Sequence, residues 1–274
     1  MTDYDPFFRG GAGASLTDLP VVIGQLGQSL DGRVATPTGD SKYIGSACAL
    51  DHLHRLRAAA DGVLVGMGTV EADDPLLNVR RVPGPNPARI VLDPSGRLDP
   101  KARCLMEDGA RRIVLRRPGV TSPLPEGVES LTVPADREGR LAVHAILSVL
   151  AAAGLRRILV EGGPATLAAF IDAGAIDRMH IVVSPVILGS GRTGLDLRPI
   201  MSLREALRPA SQVSVFPDGD VLFVCDMRTG DSRHETERTD PGLQLSGQTS
   251  ALAERPVHPD GDPVRLHHDA GAGG

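Results

Sequence analysis

Short apolar runs punctuate the chain at Val21–Leu26, Val63–Val65, Arg89–Leu92, Arg112–Leu115, Ser130–Val133, Arg157–Val160 and Arg178–Val183. Most are bounded by Gly, Pro or Asp and show little polar alternation, which predicts strands buried on both faces of a mainly parallel sheet. Between several of them the period lengthens. Over 47–60, Ala49, Leu53, Leu56 and Ala60 fall on one helical stripe, with Ser46 placed to cap it. Over 141–153, Val143, Ile146, Leu147 and Leu150 form a second stripe, and a third helix opens on Pro164 and closes at Gly174. Near the end of the patterned region, two alternating runs flank Asp218-Gly219 and predict an antiparallel hairpin. The sum is an α/β fold: a mixed, mainly parallel sheet flanked by helices and closed by a C-terminal antiparallel hairpin.

The pattern stops at both ends. Residues 1–19 have no periodicity and are expected to form a flexible arm. Residues 228–274 are rich in Gly, Pro and charge and poor in large apolar side chains, so they cannot offset their ordering entropy and are expected to be a disordered tail. The remaining 20–227 fit one domain. A net charge of −5 with 3% aromatics argues against a nucleic-acid surface. No apolar run approaches a membrane span, and a cytoplasmic location with no membrane partner is expected. Cys48, Cys104 and Cys225 form no CxxC, and His52 and His54 point to different helix faces, so no metal site is expected.

Three stretches carry candidate chemistry. In VLVGMGTVEADDPLLNVR (63–80) a strand breaks at a glycine corner, and in VEGGPAT (160–166) another does the same. Ligands of open parallel sheets sit outside the carboxyl ends of strands, where such corners lie. The plain alternative for the first is a tight turn with Thr69 capping a helix. Glu161, at a strand end, must reach solvent or bind something polar. The third stretch, 28–44, contains the turns Asp31-Gly32 and Gly39-Asp40 around a short strand. Arg57, Arg80 and Ser41 have the donor types that close around a terminal phosphate, against the alternative that both arginines are solvated. Arg116-Arg117 follows a strand and would suit a 2′-phosphate, or stand as a solvated basic pair.

The segments SLDGRVA (29–35), GDSKYI (39–44), LRAAADGVLVGMGTVEADDPLLNVR (56–80), PARIVLD (87–93), LVEGGPATLAAFIDAGAID (159–177) and SPVILG (184–189) resemble, in order, the pyrimidine reductase domain of riboflavin biosynthesis. The resemblance implies a dihydrofolate-reductase-like fold in a homodimer, and NADPH-dependent reduction of an aminopyrimidine ribosylamine 5′-phosphate to a ribitylamino product. It implies cofactor contacts at Gly27, Tyr43, Thr69, Asp73, Pro94 and Gly163, Pro164, Ala165, Thr166, Leu167, Ala168 and Ala169. Substrate contacts are implied at Ser41, Arg57, Leu77, Arg80 and Glu161, with Glu161 the acid–base candidate. The chain departs from the family pattern at Gln28, Tyr43 and Pro94. No deaminase H-x-E with P-C-x-x-C is present, so a stand-alone reductase is expected. The competing readings are a related NADPH reductase with another imine, carbonyl or pteridine substrate, and a dinucleotide-binding module without catalysis.

Overall fold

The computed structural model describes residues 19–42 and 44–229. Nearly all of the expected arm, Tyr43, and the tail beyond Thr229 lie outside the described residues. In chain order the elements are β1 (Val21–Ser29), β2 (Arg33–Ala35), α1 (Ala47–Ala59), β3 (Gly62–Gly66), α2 (Met67–Asp73), β4 (Ala88–Leu92), β5 (Arg112–Arg116), β6 (Val128–Thr132), α3 (Val143–Ala152), β7 (Arg157–Glu161), α4 (Pro164–Asp172), β8 (Arg178–Ser184), β9 (Arg192–Thr193), β10 (Ala210–Val215) and β11 (Val221–Asp226). Nine strands form one sheet in the order β10-β11-β8-β1-β7-β3-β4-β5-β6, and β2 and β9 form a small second sheet. From β8 to β6 every neighbouring pair is parallel. The hairpin β10–β11 joins the edge by an antiparallel pairing of β11 with β8. The expected fold class is the observed one.

Side-chain alternation along the strands builds the two halves of the core. Val22, Leu64, Ile90, Ile113 and Ile158 face Ile146 and Leu150 of α3 and Leu167 and Phe170 of α4. The intervening Ile23, Val63, Val91, Val114 and Leu159 face Leu56 of α1 and Met67 and Val70 of α2. Burying each such side chain contributes about 1.5–3 kcal/mol. This two-sided burial is why the strands read as continuous apolar runs. Ser46 caps α1 as expected, its Oγ accepting the Ala49 N–H at 3.3 Å. α4 opens on Pro164, and Gly174, at φ +63°, follows its end. Parallel pairing also puts the carboxyl ends of β1, β7, β3, β4 and β5 along one edge, which positions the site.

The sequence reading raised a helix near Thr69, and α2 starts two residues earlier, at Met67, following β3 without a break; it did not indicate the partner of β2. The β9 strand has two residues, too few to show a period. Gly191 seats it, because at φ +140° it lies so close to the Ala35 carbonyl oxygen that a Cβ would collide.

Candidate functional site

The two glycine corners meet. Thr69 does not cap α2; its Oγ1 accepts the Gly163 N–H at 2.6 Å, joining the end of β3 to the start of α4. A side chain at Gly66 would collide with Thr166 Oγ1, so the corner needs glycine. Gly162, at φ +151°, turns the chain out of β7. A hollow of about 280 Å³ opens beside this stitch. It is near the lower bound for small-molecule pockets and would enclose the reacting ends of two ligands better than a whole dinucleotide. Gly27, Ser41, Arg57, Thr69, Asp73, Leu77, Glu161, Gly163 and Pro164 line it, all expected from the sequence.

Arg57 and Glu161 form one unit within it. Arg57 Nε donates to Glu161 Oε1 at 2.7 Å and Nη2 to Oε2 at 2.6 Å, with side chains 7% and 9% exposed. Burial works against the Arg57 charge, but the charge and hydrogen bonds of Glu161 outweigh it, and the guanidinium pKa rises. Its Nη1 donates to the Asn78 carbonyl at 3.0 Å. Glu161 has thus found the polar partner that a strand-end carboxylate requires. The pairing revises its expected acid–base role, because both oxygens accept from Arg57. It also revises the picture of Arg57 as a free phosphate fork. Beside them Leu77 is 1% exposed and held at φ +54°, a left-handed conformation costly for a branched side chain.

Asp73 faces the same hollow and accepts from Ser41 Oγ at 3.4 Å. Arg80 does not line the hollow. It is an exposed residue whose Nη1 donates to Asn78 Oδ1 at 2.9 Å. Partial burial, then the charges of Arg57, Arg103 and Arg81, lower its pKa. Several guanidiniums therefore stand close enough to repel one another, an arrangement that an anion relieves.

Other expected contacts lie away from this lining. Leu167 and Ala168 are buried in the core, and none of Ala165 to Ala169 lines the hollow. Pro94 lies beyond the end of β4, outside the lining, and its carbonyl accepts from Arg117 Nε at 2.7 Å. Arg116 is not a solvated partner for a 2′-phosphate. It is 3% exposed, donates to the Ser122 carbonyl at 2.6 Å and pairs with Asp93 at 3.4 Å. Tyr43 lies outside the described residues.

The residues present fit a flat ring ligand. Gly27 and Gly68 line the hollow, and a Cβ on either would project into open space, so both leave backbone bare for close approach. The sequence reading missed Arg192 of β9, which also lines the hollow and has no carboxylate partner among the described residues. The Gly189–Gly194 turn signal was visible in the sequence, but the pairing of β9 with β2 that brings Arg192 there was not. Among the described residues there is no cluster able to hold a metal, and no helix is long and apolar enough to cross a membrane.

Comparison with known proteins agrees with this fold. The family described as RibD C-terminal domain matches residues 20–215. The 2,5-diamino-6-ribosylamino-4(3H)-pyrimidinone 5′-phosphate reductase of Methanothermobacter thermautotrophicus is 35% identical over 199 residues, covering 69% of this chain and 89% of that protein. The riboflavin biosynthesis protein RibD of Mycobacterium tuberculosis is 37% identical over 198 residues, covering 70% of this chain but 50% of its own. A solved bifunctional deaminase and 5-amino-6-(5-phosphoribosylamino)uracil reductase from Thermotoga maritima superposes with a TM-score of 0.64 at 30% identity, covering 76% of this chain and 56% of that one. The chain thus spans about half the length of the RibD proteins it matches and most of the archaeal reductase.

Proposed function

The chain belongs to the RibD C-terminal domain family, and on that premise we propose that it reduces an aminopyrimidine ribosylamine 5′-phosphate to the ribitylamino product of riboflavin biosynthesis, with NADPH as reductant. The observation that carries the reading is the joining of two glycine corners by Thr69 beside the buried Arg57–Glu161 pair, in one hollow at the carboxyl edge of the sheet. The cofactor, when bound, supplies the hydride. The protein supplies placement: Gly27, Thr69, Gly163 and Pro164 bound the space for the nicotinamide end, and Leu77 and the Arg57–Glu161 unit bound the space for the pyrimidine. Reacting atoms need to approach to about 3–3.5 Å, which bare glycine backbone allows. Ser41 and the cationic rim around Arg80 take the phosphate.

Cofactor oxidation with purified protein, followed by absorbance, tests this with the 2,5-diaminopyrimidinone and the 5-aminouracil phosphates side by side. Turnover of either supports the reading. NADPH binding without turnover of either overturns it in favour of a binding module. Arg80→Ala removes a charge-assisted contact worth about 1.5–3 kcal/mol. The substrate dissociation constant is expected to rise roughly 10- to 100-fold with little change in that of NADPH; an unchanged substrate constant removes Arg80 from the phosphate site.

We also place a homodimer contact on the outer strand β10. All six of its residues are exposed, with Val213 and Val215 at 56% and 69%. An unpaired apolar edge of this kind invites a second copy. A monomeric mass by sedimentation at micromolar concentration would remove this part of the proposal.

A further inference from the structure

Helix α1 carries Asp51, His54 and Arg57 at successive spacings of three, on one face. All three hold the same segment, 77–81, which has no strand or helix of its own. Arg57 Nη1 donates to the Asn78 carbonyl at 3.0 Å, and His54 Nδ1 accepts the Arg80 backbone N–H at 3.2 Å. Asp51 Oδ1 accepts from Arg81 Nε at 2.7 Å. Asn86 Oδ1 accepts the Val79 N–H at 2.8 Å from the other side. The segment is thus tied down by side chains in place of a ladder.

His54 is the buried member of this latch, 1% exposed. An accepting Nδ1 requires a neutral ring with its proton on Nε2. Burial, then the charges of Arg57, Arg80 and Arg81, hold its pKa down to about 4 against the opposing pull of Asp51, so the ring is neutral at working pH. Burial, then the charges of Arg57, Arg103 and Arg81, disfavour the charge on Arg80, and Glu161 favours it; Arg57 and Arg81 are each paired with a carboxylate of their own, Glu161 and Asp51.

We propose that His54 is a positioning residue for phosphate binding: by accepting the Arg80 N–H it holds the Arg80 guanidinium among its repelling neighbours, where a phosphate dianion meets a concentrated positive charge. The inference rests on the reading of Arg80 as a phosphate contact.

The test compares His54→Leu, which removes the acceptor, with His54→Asn, whose side-chain oxygen can take the place of Nδ1, and with Arg80→Ala. Each is assayed on whichever of the two pyrimidine phosphates the wild type turns over. Loss of one backbone hydrogen bond predicts a KM roughly 10-fold higher in His54→Leu, with kcat and the NADPH dissociation constant within about twofold. His54→Asn is expected to restore KM, and His54→Leu is expected to add little in the Arg80→Ala background. If Arg80→Ala raises KM and His54→Leu does not, the positioning role is overturned while the phosphate reading stands. If Arg80→Ala leaves KM unchanged, both fall. Should His54→Leu fail to fold, wild-type nitrogen spectra decide: saturating substrate must shift the His54 Nδ1 resonance and the Arg80 amide, and the absence of both shifts overturns the proposal.

Discussion

Glu161→Ala is expected to lower the stability of the protein by about 3–5 kcal/mol, because it leaves the Arg57 charge buried without its partner. Arg57 Nε and Nη2 donate to the two carboxylate oxygens, and both side chains are under a tenth exposed. Asn78 offers a carbonyl to Arg57 but no counter-charge. For a domain of this size each kcal/mol moves the melting temperature by roughly 2–4 °C, so a fall of about 6–20 °C is expected in a thermal scan. Turnover should be lost with it, since the wall of the hollow is the pair itself. Glu161→Gln keeps one acceptor and the same volume and should lose less stability. The double replacement Arg57→Met with Glu161→Met separates the two roles. Removing both charges should recover most of the melting temperature, as swaps of buried pairs for apolar residues often do, and should recover no activity. A single Glu161→Ala variant melting within 2 °C of wild type would show that the charge is solvated and the pair unimportant.

That pair also marks how far the sequence could be read. Arg57 and Glu161 lie 104 positions apart. Residue type indicated that a strand-end carboxylate needs a partner and that an arginine at the helix rim seeks an anion, but nothing local says that each is the other's answer. The strands were legible because burial on both faces leaves an apolar run, as in β3, where all five residues are buried. The β2–β9 sheet was not legible as a pair, since its order depends on Gly191 packing on the Ala35 backbone. Leu167 and Ala168 are a different case. They entered as cofactor contacts with the whole 163–169 segment, although helical spacing already turns them inward beside Phe170 and Ile171. Arg116 was read as an exposed cation because two arginines follow a strand. The buried Asp93 at the end of the neighbouring β4 draws it inward instead.

The second large effect concerns acid. On the face of α1 away from His54, His52 Nε2 lies 2.9 Å from His180 Nδ1 of β8, so one ring donates and the other accepts. Burial first, then the Arg55 charge, lowers the His52 pKa to about 4. Burial, then His52 and Arg178, lowers that of His180 to about 3. Both folded values lie below the ordinary value of 6.5, so below that pH the unfolded chain binds protons that the folded chain refuses. Stability is therefore full above 6.5 and falls as pH drops toward the folded values. By pH 5 the loss is about 2 kcal/mol per histidine, or about 2–4 kcal/mol for the interacting pair. His54, whose pKa is also held down to about 4, loses stability across the same window, so the part of the loss that belongs to the pair is the part its replacement removes. The carboxylates held low in the fold, such as Asp61 and Asp226, carry stability that is lost only nearer their own acid range. Urea midpoints at pH 7.5, 6 and 5 should fall for the wild type and by a smaller amount for a folded His52→Gln, His180→Gln variant, which keeps the fall due to His54. Equal midpoints across that window in the wild type would mean that the rings take up protons in place, and that the contact across α1 and β8 opens more readily than its burial implies.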